Sequence, residues 1–248
     1  MQDLAAWQLV YCALVIVGAF AVRGTAGFGG GAIAVPLMAL ALPVQLVIPV
    51  VAVLNLLAST GHAWRHPRDI LWREVAFMVP FTVLGVAAGV YLLAELDARL
   101  LKKGLGLFVV AYAVFAFVTA ERPLRAPPAL LRPLGGVLST AAGFLGALFG
   151  GAAGPLYAIY YANLDIARVT FRVTLTSTLL VQAGLRTTGY AGLGLYDRPT
   201  LMVLAVALPF MWLGGRLAER VAGRIAPHVF SRIVGAVLLV SGAALLLG

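Results

Sequence analysis

Long apolar runs follow one another along almost the whole chain, and this feature restricts the fold more than any other. The 248 residues are 62% hydrophobic and only 11% charged, so a water-soluble domain of this length could not cover its surface with polar side chains. A helix that crosses a bilayer takes about 20 apolar residues, so we predict an all-α protein, a polytopic transmembrane helix bundle with about 8–10 membrane segments. The runs span 4–22, 24–42, 44–63, 74–94, 101–120, 134–149, 151–163, 169–191, 200–219 and 229–247.

Basic residues outnumber acidic residues, with 18 Lys and Arg against 9 Asp and Glu. In a soluble protein, a net charge of +9 would raise the question of nucleic acid binding. In a polytopic protein, Lys and Arg in short loops set the orientation in the membrane, so we expect the lipid bilayer as a partner and no nucleic acid. Cys12, the single cysteine, lies inside the first apolar run and predicts neither a disulfide nor a metal site.

A connection rich in proline and arginine, residues 121–133, divides the chain into two transmembrane halves, 1–120 and 134–248. Interior prolines prevent this connection from being helical throughout. The halves match in order, since Gly27-Phe28-Gly29-Gly30-Gly31 corresponds to Gly150-Gly151-Ala152-Ala153-Gly154 and Pro80-Phe81 corresponds to Pro209-Phe210. Ordered matches indicate an internal duplication. The alternative is a chance similarity between helices that are rich in Gly and Leu.

The number of crossings in each half decides how the two repeats are related. Five crossings, an odd number, would make the repeats inverted, which is the commoner plan among transporters. The loops then divide into two sets, and the set with more arginines is predicted to be cytoplasmic, which leaves both termini outside. The alternative is that runs 24–42 and 151–163 are re-entrant, because they are rich in glycine or short, which reduces the number of crossings to about eight.

Two glycine clusters interrupt apolar runs at matching positions of the two halves. They contain Gly29, Gly30 and Gly31 in the first half and Gly150, Gly151 and Gly154 in the second. Because glycine lacks a Cβ, a helix can unwind there and turn its N–H groups toward a ligand. A half-helix that begins at the break presents the positive end of its dipole, which suits an anion. The alternative is that the glycines only permit close helix packing, but two matched clusters favour the break.

The third segment of each half carries polar side chains inside an apolar run. Thr174, Thr178 and Gln182 are spaced by four residues and share one face of a helix, and Asn55 and Ser59 lie at corresponding positions of the first half. We interpret these five side chains as candidate hydrogen-bond donors to a substrate. The alternative for Ser and Thr is a bond to the carbonyls of their own helix, whereas an amide has no such local partner.

Arg172 and Arg186 lie near the two ends of the same segment. A guanidinium is costly in hydrocarbon and is usually paired, interfacial or functional. The membrane interface is the alternative for Arg172 and the favoured position for Arg186. We predict that Arg172 supplies positive charge to the site, because its planar fork suits an oxyanion. His62 would be the candidate base if the protein were instead an enzyme that acts on lipid.

Carboxylates and catalytic motifs are missing where an enzyme or an ion-coupled pump would need them. The acidic residues all lie at or near the ends of apolar runs, so none is placed in mid-membrane to carry protons or sodium. The sequence contains no Gly-x-Ser-x-Gly, no His-Glu-x-x-His and no Walker lysine after a glycine loop. We therefore expect no enzyme, no catalytic residue, no metal and no cofactor.

The glycine-rich run that ends at Pro36 and its second copy, Gly150 to Leu156, resemble the paired motifs of the sulfite exporter TauE/SafE family of small bacterial permeases. Phe171-Arg172-Val173-Thr174 is similar to a Phe-Arg-x-Thr stretch found in part of that family. The second copy departs from the pattern where Ala152 and Ala153 replace glycines. The resemblance covers the chain from end to end. It implies a permease of the bacterial cytoplasmic membrane for sulfite, organosulfonates or related organic acids.

The residues and the resemblance together predict a multi-pass inner-membrane transporter of a small anionic substrate. We expect the anion between the two repeats, held by the glycine backbones, the polar side chains and Arg172. The repeats would rock about kinks at Pro80 and Pro209 to alternate access. The alternative is a membrane assembly or scaffold protein whose glycines serve packing only. The sequence leaves open the substrate, the direction of transport, the coupling ion and association into a homo-oligomer.

Overall fold

The computed structural model describes residues 5–26, 29–63, 67–119, 126–151, 153–221 and 227–247, and every regular element in these ranges is helical. A short 3₁₀ turn, Pro67–Asp69, precedes the fourth α-helix. The α-helices are α1 (Ala6–Ala26), α2 (Gly30–Met38), α3 (Val44–Ala63), α4 (Trp72–Glu95), α5 (Ala98–Thr119), α6 (Pro128–Phe149), α7 (Ala153–Ala162), α8 (Arg168–Gly192), α9 (Arg198–Val221) and α10 (Pro227–Leu247). The predicted all-α membrane bundle is therefore confirmed.

The helices differ in whether they are long enough to cross a membrane. Among the described residues, α1, α4, α6 and α9 are long and apolar enough to do so, and α3 and α10 contain shorter apolar stretches. Helix α8 has 25 residues but carries the polar stripe. Helices α2 and α7 have 9 and 10 residues, a rise of about 15 Å against a hydrocarbon core of about 30 Å. Neither of these two half-helices crosses the core alone.

Glycine permits the chain breaks beside the two half-helices. Gly29 precedes α2 with a φ of 95°, and Gly150 follows α6 with a φ of 72°. This left-handed conformation costs a residue with a Cβ about 1–2 kcal/mol. The chain thus breaks at both glycine clusters, as the sequence predicts, while Gly27 and Ala152 lie outside the described residues.

The contacts between helices repeat when the two halves are exchanged. Helix α4 packs along α6 and α9 packs along α1, while α3 packs against α8 and α5 against α10. Helices α1 to α5 correspond in order to α6 to α10, so the first two pairs are equivalent and the last two each join corresponding helices. An internal duplication predicts this pattern. That the repeats are inverted stays a prediction.

Gly85 and Gly214, which follow the matched Pro80 and Pro209 at the same spacing, lie in equivalent helix contacts. A Cβ on Gly85 of α4 would lie 2.8 Å from the backbone nitrogen of Phe144 in α6. A Cβ on Gly214 of α9 would lie 2.6 Å from the carbonyl oxygen of Val17 in α1. Since no side chain fits at such separations, these two glycines permit close packing of the helix backbones.

Helix α3 is largely buried and packs against α8. Its side chains Val47, Ile48 and Leu54 have no exposed surface. The outer helices instead expose large apolar side chains, such as Leu14 of α1 and Leu84 of α4. An exterior of this kind faces lipid. Polar groups near α3 and α8 are therefore shielded from the bilayer by the protein.

The predicted linker, residues 121–133, overlaps the start of the second half. Helix α6 begins at Pro128, where a proline is tolerated because its missing N–H would have no helical acceptor. Pro133 lies further inside the same helix. Residues 120–125 lie outside the described residues. Helix α6 therefore begins before position 134, the position at which the sequence predicts the start of the second half.

Asp197 caps the N-terminus of α9, where its Oδ1 accepts a hydrogen bond of 3.0 Å from the backbone N–H of Thr200. The hydrogen bonds from Thr200 lower the pKa of this carboxyl below its ordinary value. We expect Asp197→Ala to reduce the free energy of unfolding by about 1 kcal/mol at neutral pH. Because the folded-state pKa is depressed, this difference should shrink as the pH falls through that pKa.

Thermal unfolding of the detergent-solubilised protein at neutral and acidic pH measures the effect of the cap. Asp197→Asn is the matched control, since it keeps an acceptor oxygen but does not titrate, and it should retain most of the stability at both pH values. An alanine variant as stable as the wild type at neutral pH would show that the cap contributes nothing.

Candidate functional site

A small polar cavity lies where α1, α2, α3 and α8 meet the break between α6 and α7. Its volume is about 30 Å³, enough for one or two water molecules. The lining residues are Arg23, Gly29, Gly31, Ala32, Asn55, Ser59, Gly150, Gly151, Ala153, Gly154, Leu179, Gln182 and Arg186. Since they come from both halves of the chain, the cavity lies between the two predicted repeats.

A much larger groove, of about 750 Å³, lies between α4 and α6. Phe77, Phe81, Leu84 and Phe144 are among the side chains that line it. Because Leu84 is among the exposed apolar side chains, we assign this groove to the lipid-facing surface. The polar cavity is therefore the candidate functional site.

Helices α2 and α7 both begin at the polar cavity. Gly31 and Ala32 belong to the first turn of α2, and Ala153 and Gly154 belong to the first turn of α7. The N–H groups of a first turn have no acceptor within the helix, and each helix N-terminus carries about half a positive charge. Two such ends at one cavity suit a negatively charged ligand.

The two glycine breaks approach each other through their backbones. A Cβ on Gly31 would lie 2.5 Å from the carbonyl oxygen of Gly150, and a Cβ on Gly151 would lie 2.5 Å from the backbone nitrogen of Ala32. Real Cβ atoms are essentially never found this close to another heavy atom. Glycine at these positions is what brings the two half-helices to the same cavity.

Arg23 of α1 is the first charged group at the cavity, and only 8% of it is exposed. Its Nη1 donates to Asn55 Oδ1 at 2.5 Å and its Nη2 donates to Ser59 Oγ at 2.6 Å. Ser59 in turn donates to the carbonyl oxygen of Asn55 at 2.8 Å. Gly30 leaves room for the arginine, because a Cβ there would lie 3.1 Å from Arg23 Cβ. Two polar side chains of α3 thus orient this guanidinium.

Arg186 of α8 is the second charged group, and 4% of it is exposed. Its Nη1 donates to the carbonyl oxygen of Gly146 in α6. Gln182, one turn before it, donates from Nε2 to the carbonyl oxygen of Ala142 at 2.6 Å. The Nε of Arg186 is buried and has no hydrogen-bond partner among the described residues. A buried donor without an acceptor is unfavourable, so the described residues leave this guanidinium incompletely hydrogen-bonded.

The charge around the cavity is unbalanced. Its described lining contains two arginines and no carboxylate. The described residues also contain no group of three or more His, Cys, Asp or Glu side chains that could hold a metal ion. Guanidinium groups in a low-dielectric surrounding attract anions strongly, and their planar forks match the oxygens of an oxyanion. This arrangement can hold a small anion.

The structure brings most of the sequence-predicted site residues to this cavity. Those that line it are Gly29, Gly31, Asn55, Ser59, Gly150, Gly151, Gly154 and Gln182. Gly30 lies beside the stem of Arg23 and does not line the cavity. That these residues bind a substrate stays a prediction.

Three predicted residues lie away from the cavity. Thr174 Oγ1 accepts a hydrogen bond of 3.1 Å from the backbone N–H of Leu71. Thr178 Oγ1 shares a hydrogen bond of 2.6 Å with the Tyr161 hydroxyl. Arg172 is exposed, with its Nη2 3.5 Å from the carbonyl oxygen of Gly24. The positive charge at the cavity therefore comes from other residues than Arg172.

Sequence reasoning missed Arg23 and favoured the membrane interface for Arg186. Arg23 separates the first two apolar runs, and an arginine between apolar runs is usually read as part of a loop. The available signal was its position just before the first glycine cluster, beside the expected helix break. The side chain of His62, the alternative candidate base, lies outside the described residues.

Comparison with known proteins gives one family and one relative. The family model described as "Sulfite exporter TauE/SafE" matches residues 12–245. The chain is 27% identical over 197 residues to a Comamonas testosteroni protein named "Probable inner membrane transporter protein TsaS". That match covers 79% of this chain and 80% of the relative. No solved structure matches the chain.

The helical bundle and these similarities define a multi-pass transporter of the cytoplasmic membrane. Because the family model covers almost all of the sequence, the chain belongs to the sulfite exporter TauE/SafE family. Members of this family are membrane transporters and not enzymes. The predicted family, the predicted class of protein and the predicted localisation are confirmed.

Proposed function

We propose that this transporter is a permease for small oxyanions, with sulfite, organosulfonates or related organic acids as substrates. The observation that carries the proposal is the pair of buried guanidinium groups, Arg23 and Arg186, at one small cavity whose described lining has no carboxylate. Helix packing alone does not account for two buried charges, because an unpaired buried charge destabilises a protein. The name of the family and that of its relative agree with this proposal.

In the proposed complex, the anion takes the place of the missing negative charge. Arg186 Nε and the N–H groups in the first turns of α2 and α7 donate to its oxygens. Asn55 and Ser59 keep the guanidinium of Arg23 in place, and Gln182 holds α8 against α6. The glycine backbones allow the anion to approach the main chain closely.

We also propose that access to the cavity alternates between the two sides of the membrane. The cavity lies between residues of both halves, and the central pair α3 and α8 contributes one helix from each. A volume of about 30 Å³ does not admit a sulfonate with a carbon chain, so the halves must separate to load it. Pro80 of α4 and Pro209 of α9 lie at matched positions where these helices can bend.

Uptake by proteoliposomes tests the proposed function. We expect wild-type protein to take up radiolabelled sulfite and a short radiolabelled sulfonate. Arg23→Gln should reduce uptake at least about 30-fold at equal incorporation, because it removes a buried charge–anion contact worth 2 kcal/mol or more. Arg172→Gln should keep most of the activity, since Arg172 is exposed and lies away from the cavity.

A matched control and two contrary outcomes make this test decisive. Arg99→Gln removes an exposed arginine from the start of α5 and should leave uptake unchanged. If Arg172→Gln abolished uptake in a folded protein while Arg23→Gln did not, the anion site would lie around Arg172. If no tested anion crossed the membrane in the presence of the wild type, the oxyanion proposal would be wrong.

A further inference from the structure

The cavity holds more positive charge than its described surroundings can balance. Arg23 and Arg186 are both more than nine-tenths buried, and their described neighbours around the cavity are neutral. The N-termini of α2 and α7 add partial positive charge at the same place. Because buried charges without partners are strongly unfavourable, the site needs an anion in every state in which it is closed to water.

The hydrogen bonds lead to the same conclusion. Each guanidinium has five N–H donors and no acceptor. Arg23 is bonded to Asn55 and Ser59, and Arg186 is bonded to the carbonyl oxygen of Gly146, but Arg186 Nε is buried with no partner among the described residues. A neutral water molecule would satisfy a donor without supplying charge, whereas an anion does both.

The size of the cavity restricts which anion can fit in this conformation. A volume of about 30 Å³ suits one or two particles of the size of a water molecule. A monatomic halide has about this size, whereas a sulfonate with a carbon chain exceeds it. The cavity in this conformation therefore fits a chloride-sized ion better than it fits the proposed organic substrates.

We infer that this transporter is an obligatory anion exchanger in which a chloride-sized inorganic anion occupies the cavity whenever the substrate has left it. The inference rests on the proposed function, because it describes how the same cavity opens again to the first side of the membrane after the substrate has left. Without an anion, the return step would pass through a state in which two guanidinium groups are closed off from water without a counter-charge, and it would be slow. One anion therefore enters for each anion that leaves.

Counterflow in proteoliposomes tests the exchange. Vesicles are loaded with chloride, with unlabelled sulfite or with gluconate, a polyhydroxy carboxylate that carries no sulfur oxyanion and is larger than the short substrates tested. Tris is the buffer on both sides, because the common sulfonate buffers could themselves be substrates. The membrane potential is clamped with potassium and valinomycin, and the initial rate of radiolabelled sulfite uptake is measured.

We expect uptake to be at least tenfold faster into vesicles loaded with chloride or sulfite than into vesicles loaded with gluconate. Radiolabelled chloride should also leave the vesicles only when sulfite or chloride is present outside. Equal initial rates from gluconate-loaded and chloride-loaded vesicles would overturn the exchange and leave the permease proposal intact. Absence of uptake even into sulfite-loaded vesicles would overturn the permease proposal itself.

Direct halide binding gives a second measurement that does not depend on transport. Chloride should raise the thermal unfolding temperature of the purified wild type relative to gluconate at equal ionic strength. Arg186→Gln should remove this shift, and Arg99→Gln should retain it. A chloride effect of the same size in the wild type and in Arg186→Gln would place the halide somewhere other than this cavity and overturn the assignment.

Discussion

Replacing Arg186 with glutamine should weaken the binding of sulfite about 30-fold or more, with a corresponding loss of uptake. Arg186 is 4% exposed and keeps a buried Nε without a partner among the described residues. Removal of one member of a buried, hydrogen-bonded charge pair costs about 2–5 kcal/mol, and each 1.4 kcal/mol corresponds to a tenfold change in affinity. Titration calorimetry on purified protein measures the dissociation constant, and proteoliposome uptake measures the loss of transport.

Protein stability separates a binding role of Arg186 from a structural one. If the guanidinium is there for the anion, its removal relieves a buried charge, so the unfolding temperature without ligand should be unchanged or higher. Arg186→Lys should recover only part of the affinity, because lysine keeps the charge but loses the planar fork. A glutamine variant that unfolds at much lower temperature and yet binds sulfite with wild-type affinity would show that Arg186 only holds α8 against α6.

The membrane bundle and both helix breaks could be predicted from the sequence, because each depends on local properties. Apolar runs specify membrane helices by composition, and glycine is the residue that adopts a positive φ without a steric penalty, as Gly29 and Gly150 do. Asn55, Ser59 and Gln182 could be recognised because they are polar side chains in apolar runs. The structure places all three at the cavity.

The two arginines could not be recognised by matching the halves, because the halves place them on different helices. In the first half, Arg23 reaches from the first helix to Asn55 and Ser59 on the third. In the second half, Arg186 reaches from the third helix to Gly146 on the first. When the two halves are aligned on their glycine clusters, position 23 of the first half corresponds to position 146 of the second, so Arg23 is matched with Gly146. A search for the same residue at the same position in both halves therefore finds neither arginine.

Periodicity identified the polar face of α8 but not its partners. Thr174, Thr178 and Gln182 share that face, yet α8 packs against α3, α4 and α7 along its length. Thr174 bonds to the chain just before α4, and Thr178 bonds to Tyr161 of α7. Only Gln182 of the three reaches the cavity. One face of a central helix can thus meet several neighbours, and sequence spacing does not say which residue meets which.

The second large effect is expected at the contact between the two glycine breaks, where Gly151→Ala should both destabilise the protein and abolish uptake. The new Cβ would lie 2.5 Å from the backbone nitrogen of Ala32 and 2.6 Å from the carbonyl carbon of Gly31. Backbone atoms cannot rotate away as a side chain can, so the breaks must separate. Overpacking costs about 1–3 kcal/mol, and occasionally more. Separation of the breaks would also move the N-termini of α2 and α7 away from the anion.

A double-mutant cycle with Gly31→Ala shows whether this contact is the cause. A Cβ on Gly31 would lie 2.5 Å from the carbonyl oxygen of Gly150 and 2.8 Å from Asn55 Nδ2, so this substitution should force the same separation and also displace the Asn55 side chain. The second alanine should then cost less than the first, with a coupling of about 0.5–3 kcal/mol in the free energy of unfolding. Gly18→Ala is the control, since a Cβ there meets no atom within 4 Å and alanine favours the helix by about 0.5–1 kcal/mol. Fully additive losses from the two alanines would mean that the breaks do not share one contact, and that the cavity is not built by their mutual approach.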